Sequence, residues 1–112
     1  MKYFASHDSI PEGFTGECKL YSDQTIRYYK NNQLHKEDGP ALIFQNGDVE
    51  YYLNGLFHNE NGPAIIYEYI KIWYYKGVKY GINNRHQNDF SNSSWREFIE
   101  NKKREEQLEI FK

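Results

Sequence analysis

The stretch Gly39–Tyr52, GPALIFQNGDVEYY, returns at Gly62–Tyr75 as GPAIIYEYIKIWYY and, more divergent, precedes it at Gly16–Tyr29 as GECKLYSDQTIRYY. The offset is 23 residues both times, with no insertion. A fixed period of this length constrains a fold more than any local propensity. Each unit is one supersecondary element that buries its apolar side only against its neighbours.

The content of the unit is β. In the second unit, the apolar-rich runs 41–45 and 48–53 flank Asn46-Gly47, and a further Asn54-Gly55 turns the chain into 56–58. Asn-Gly favours the two-residue hairpin turn with φ > 0 at both positions. Asn31-Asn32 stands one unit earlier, and Asn tolerates that region best among non-glycine residues. Pro40 and Pro63 open the next strand, where a missing N–H does least harm. The third unit carries Tyr69-Ile70 where Asn-Gly is due, which predicts a bulge or a longer loop there. A two-residue loop at 46–47 sets Leu42 opposite Tyr51 and Ile43 opposite Glu50. One face then holds Leu42, Phe44, Val49, Tyr51, Leu53, Leu56 and His58 with their counterparts Tyr21, Ile26, Tyr28, His35, Ile65, Tyr67, Ile72 and Tyr74. This is the expected core face. The second face carries Cys18, Leu20, Arg27, Tyr29, Leu34, Ala41, Ile43, Glu50, Tyr52, Phe57, Ala64, Ile66, Trp73 and Tyr75.

After Tyr80 the pattern stops, and 81–93 reads as an Asn-rich loop. Ser94 with Glu97 three residues on forms a capping box that starts a helix over 94–112. Trp95, Phe98 and Ile99 give it an apolar stripe, continued by Lys102, Glu106 and Ile110, while Leu108 and Phe111 fall off it. Residues 1–15 form an N-terminal cap. The expected fold is a single domain, 1–112. It is mainly β, an antiparallel meander of tandem 23-residue β-hairpin repeats in one twisted sheet over 16–80, with a C-terminal α-helix. The helix is expected to cover the core face near Val49 and Tyr51.

The pattern YY-x-N-G-x-x-H-x-x-x-G-P-A resembles a variant of the membrane occupation and recognition nexus (MORN) repeat. The second unit matches at Tyr51, Tyr52, Asn54, Gly55, His58, Gly62, Pro63 and Ala64. The first matches at Tyr28, Tyr29, Asn31, His35, Asp38, Gly39, Pro40 and Ala41, with Asn32 in place of glycine. The third keeps Tyr74, Tyr75 and Gly77 and lacks the His, Gly-Pro and Ala. Similar units occur in phage, giant-virus and bacterial proteins. The resemblance implies β-hairpin arrays that bind proteins and sometimes lipids, and it brings no catalytic residue.

Composition narrows the function. A formal charge of −2 lacks the basic excess of a nucleic-acid binder. The single Cys18 forms no internal disulfide, which fits a cytoplasmic setting. No apolar run is long enough to span a membrane, and no secretory leader is visible at the N-terminus. His35 and His58 tempt as metal ligands, but equivalent positions two strands apart are about 9–10 Å from each other. Both rings cannot then reach one ion at about 2.0–2.1 Å. They read as structural, one ring nitrogen bonded to backbone or to a tyrosine hydroxyl. No metal, no cofactor and no acid–base pair is expected, so the chain is not expected to be an enzyme. The second face has no partner within the chain, and tyrosine, tryptophan and arginine are favoured in interfaces. Tyr29, Tyr52, Tyr75, Arg27, Glu50 and Trp73 are therefore the expected partner-binding residues. The expected function is a non-enzymatic protein–protein interaction module, in a phage or viral accessory protein that binds and inhibits a host factor. The alternative is a lipid- or small-ligand-binding β-repeat protein. Exposed sheet edges could also pair two copies.

Overall fold

The structure is a computed structural model and describes residues 1–110. Eleven short strands and one helix follow each other. They are β1 (Lys2–Phe4), β2 (Gly16–Leu20), β3 (Ile26–Lys30), β4 (Gln33–Leu34), β5 (Leu42–Ile43), β6 (Val49–Glu50), β7 (Tyr52–Leu53), β8 (Leu56–Phe57), β9 (Ile65–Ile66), β10 (Lys71–Tyr75), β11 (Val78–Asn83) and α1 (Asn92–Ile110). A 3₁₀ turn, His7–Ser9, lies between β1 and β2. The main sheet runs β1-β2-β3-β5-β6-β9-β10-β11, with β4 beside β3, and β7-β8 form a separate hairpin. All pairs are antiparallel except β1 with β2, so the sheet is mixed. The chain is thus mainly β, mostly an antiparallel meander, with a C-terminal helix.

Two sets of turns alternate. At Asn31-Asn32, Asn54-Gly55 and Lys76-Gly77 both residues have φ between +49° and +81°, the two-residue hairpin turn. They close Lys30↔Gln33, Leu53↔Leu56 and Tyr75↔Val78. The hairpins they close lean on one another. Gly55 N–H donates to Leu34 O at 2.8 Å, and Gly77 N–H to Phe57 O at 2.9 Å. Phe14 O accepts the Asn32 N–H at 2.9 Å, so the N-terminal segment supplies the bond that a preceding hairpin would.

The other turns differ from expectation. At Asn46-Gly47 only Gly47 has positive φ (+94°), and Phe44 N–H donates to Asp48 O at 2.9 Å. The loop therefore has three residues, 45–47, with glycine as the bulge residue. Leu42 pairs with Glu50 and Ile43 with Val49, one residue off the expected register. A one-residue slip moves a side chain to the other face. The expected longer loop near Tyr69-Ile70 is instead tighter. Tyr67 N–H donates to Ile70 O at 2.9 Å, leaving only Glu68-Tyr69 between them.

Two aromatic clusters form the interior. Cys18, Leu20 and Tyr29 pack with Phe4, Ile10, Phe14 and Leu34 beneath the N-terminal segment. Trp73 and Tyr75 pack with Trp95 and Ile99 of α1, flanked by Tyr80, Phe90 and Phe98. The helix therefore covers Trp73 and Tyr75, not Val49 and Tyr51. It also starts earlier than its sequence signal, at Asn92. Ser91 Oγ accepts the Ser94 N–H (3.1 Å) and Ser94 Oγ accepts the Ser91 N–H (2.9 Å), a reciprocal cap one turn before the Ser94–Glu97 box. Lys102 and Glu106 lie along its half-buried side, whereas Ile110 and Leu108 are exposed. Phe111 lies outside the described residues. The described chain measures 45 × 39 × 18 Å.

Candidate functional site

The expected second face is not left uncovered. Tyr29, Glu50, Trp73 and Tyr75 are buried, and Arg27 and Tyr52 are half-buried. The N-terminal segment takes up Tyr29, α1 takes up Trp73 and Tyr75, and the Trp73 indole N–H donates to Asn83 Oδ1 at 3.0 Å. Tyr29, Tyr52 and Tyr75 form no single ladder, because the pairings run from Arg27 through Leu42, Glu50 and Ile65 to Ile72 and alternation then turns Trp73 and Tyr75 to the other face. Tyr52 stacks on Phe57, with ring centroids 4.5 Å apart, and Phe57 lies 4.8 Å from Tyr74.

Between the two covered ends the charged residues build two separate polar sets, one around Arg27 and one around Glu50. The register sets Arg27 beside Leu42, and Leu42 beside Glu50. Arg27 donates to Thr25 Oγ1 (3.0 Å), Tyr29 Oη (3.1 Å) and Asp23 Oδ2 (3.1 Å). Asp23 also accepts from the Thr25 N–H and hydroxyl. Burial alone would raise the Asp23 carboxyl, but these donors and the guanidinium hold it below the ordinary carboxylate range. Glu50 accepts the Tyr52 hydroxyl at 2.6 Å and the Tyr67 hydroxyl on its other oxygen. Burial, then the bond to the Glu50 carboxylate, pushes both phenols well above the usual tyrosine value.

The free aromatic surface lies where the strands enter their turns. Tyr21, Phe44 and Tyr67 occupy that position, 23 residues apart. Tyr21 is 58% exposed and stacks on Tyr3 (54% exposed) at 5.5 Å and 21°. Phe44 meets Tyr67 edge to face at 6.1 Å, and Tyr69, at the next turn, is 77% exposed. An open cleft of about 560 Å³ joins Asp23, Phe44, Asn46, Asp48 and Tyr67. This edge is aromatic, rimmed by carboxylates, and braced from behind by Glu50. Of these, Tyr21, Phe44 and Tyr67 were assigned to the core face; Tyr21 is exposed, and Phe44 and Tyr67 are half-buried. Their position at turn entrances was the sequence signal that could have placed them at the edge.

The histidines are structural. His35 Nδ1 accepts the Asn54 N–H and His58 Nδ1 the Lys76 N–H, each at 2.9 Å. Cys18 is fully buried, and its burial raises the thiol above the ordinary range. Among the described residues no three His, Cys, Asp or Glu side chains gather as a metal site, and no helix is long and apolar enough to cross a membrane. Compared with known protein families, with curated proteins and with solved structures, the chain finds no match in any of the three.

Proposed function

We propose that this chain is a non-enzymatic protein-binding module built as a tandem array of 23-residue β-hairpin units. Its contact surface is the aromatic turn edge of Tyr21, Phe44, Tyr67 and Tyr69. The observation that carries this reading is the exposure of Tyr21 (58%) and Tyr69 (77%) at that edge, with Phe44 and Tyr67 half-buried there, while the chain buries Tyr29, Trp73 and Tyr75. Exposed rings beside a polar rim are a common mark of a contact surface. Glu50 supports the same role, because it fixes the Tyr67 ring before any partner arrives, and a ring already ordered loses less freedom on binding. The recurring turns and hairpin-to-hairpin bonds support the array. The resemblance to phage and viral repeat proteins supports a host factor as the partner.

The test uses residues whose loss spares the fold. Tyr21 and Tyr69 are mostly exposed, so Tyr21→Ala and Tyr69→Ala should leave the melting temperature within about 2 °C of wild type, as surface changes do. Each should weaken capture of a stoichiometric protein partner from host lysate at least about tenfold, the effect of an interface hot spot. Glu97→Ala on the exposed side of α1 serves as control. Equal capture by all variants would reject this edge as the contact surface.

A further inference from the structure

The open cleft at the turn edge is lined by rings and carboxylates, and among the described residues no lysine or arginine lines it. Phe44 and Tyr67 meet there edge to face, with Asp23 and Asp48 beside them. Arg27, the cation bonded to Asp23, is already engaged, since its guanidinium donates to Asp23, Thr25 and Tyr29. Asp48 accepts the neutral Asn46 amide at 3.1 Å. Neither Asp48 nor the exposed Glu68 pairs with a lysine, arginine or histidine among the described residues. The strand register also turns Lys19 and Lys71 away. Pairing places Lys19 and Lys71 at the two ends of one row across the sheet, through Ile26, Ile43, Val49 and Ile66. The adjoining row holds Arg27, Leu42 and Glu50. Neighbouring rows face opposite ways, so both lysines lie on the face away from Glu50. The Glu50 carboxylate is buried and accepts the Tyr67 hydroxyl. That bond draws negative charge into the Tyr67 ring and makes its face a better seat for a cation.

On the reading of the turn edge as a protein-contact surface, we propose that this cleft takes an arginine side chain of the partner, its guanidinium laid against Phe44 and Tyr67 and paired with Asp48. A guanidinium is planar and weakly hydrated, stacks on aromatic rings, and offers two parallel N–H groups to a carboxylate. An ammonium is a compact, strongly hydrated point charge and gains less from the rings. An anionic group would meet Asp23, Asp48 and Glu68 on its approach, and like charges reject it. Glu68 and Tyr69, both exposed at the neighbouring turn, continue the same chemistry outward and suit a basic segment rather than an isolated residue.

The experiment titrates the full chain with a short Gly-Ser peptide carrying one central arginine, and with the same peptide carrying lysine or citrulline. Citrulline keeps the shape of arginine and lacks its charge. A single cation on aromatic rings is a weak ligand, so each titration runs to about 10 mM. NMR follows the ring signals of Phe44 and Tyr67 and the amide of Asp48. The arginine peptide should shift all three saturably, the citrulline peptide should bind at least about tenfold more weakly, and the lysine peptide should fall between them. Asp48→Asn keeps an acceptor for the Asn46 amide and should weaken the arginine peptide about threefold or more. Phe44→Leu keeps the site apolar without a ring and should weaken it by a similar factor. Should a variant fail to fold, the arginine and citrulline peptides on the wild-type chain decide. Equal binding of those two peptides, shifts confined to the exposed acidic pair Glu37 and Asp38, or no saturable shift would each overturn the arginine site. If Tyr21→Ala and Tyr69→Ala still lose the lysate partner in that event, the contact surface stands without its guanidinium. If they retain the partner, both readings fall.

Discussion

Glu50 occupies a place in the interior that an apolar residue could fill, and what holds it there is two phenols rather than a cation. Neutral hydroxyls solvate a buried carboxylate without adding a second desolvated charge. The cost appears on the tyrosine side, since both phenols must stay protonated to donate. Their native values lie above the ordinary tyrosine value of about 10. Stability from these bonds is therefore complete below about pH 10 and is lost as pH rises further, because the unfolded chain gives up those protons first. In an alkaline titration followed by tyrosinate absorbance, part of the signal from the eleven tyrosines should lag until the protein unfolds. Tyr67→Phe should reduce that lagging part and flatten the loss of melting temperature between pH 9 and 10.5. An unchanged titration in Tyr67→Phe would show that its hydroxyl is free.

At the scale of elements, turn chemistry decided what could be read from sequence. Asn54-Gly55 and Asn31-Asn32 announced their turns, and the chain obeyed, because few residues accept φ > 0 at two successive positions. Asn46-Gly47 carries the same letters and makes a three-residue loop instead, since Asn46 keeps a negative φ and its side chain binds Asp48. That extra loop residue shifted the register by one and inverted the face assigned to Leu42 and Phe44 relative to Glu50. The mainly β meander and its C-terminal helix were legible and the facing of individual side chains was not, because a one-residue slip keeps the order of elements and reverses which face a side chain takes. The departures from the repeat also have local reasons. Asn32 stands where the later turns have glycine, at φ +63°. Its amide donates to Pro11 O at 2.9 Å and its oxygen accepts the Gly13 N–H, which ties the N-terminal segment to the first hairpin. Asn32→Gly should thus relax the turn yet free the tether. Amide exchange at Gly13 and Phe14 should quicken at least about tenfold while β3 and β4 stay protected. Unaltered protection at Gly13 would show that the backbone bond to Phe14 O suffices.

At the scale of the whole molecule, the main sheet has two ends, and this chain covers them with different material. Phe4, Ile10 and Phe14 close the first end, and Trp95, Phe98 and Ile99 the other. The sequence announced the helix through its apolar stripe, but the covering role of residues 1–15 left only weak marks, since Phe4, Ile10 and Phe14 follow neither helical nor strand period. Between the caps lie two separate polar sets, Arg27 with Asp23 and Glu50 with Tyr67, beside the buried Ala41, Leu42, Ala64 and Ile65, and the two clusters share no buried residue. Mutations without common partners add in their effect on stability, whereas coupled ones do not. Leu20 and Ile99 are buried in opposite clusters, and Leu20→Val and Ile99→Val each remove one buried carbon, at a cost of about 1 kcal/mol. Changes this small leave a domain of ordinary stability folded even when combined. Urea unfolding of both single variants and the double should give a sum that holds within about 0.5 kcal/mol. A larger deviation would mean that the central strands pass strain from one cap to the other, and Glu50 with its two phenols would then be a mechanical link between the ends rather than a support for the aromatic edge.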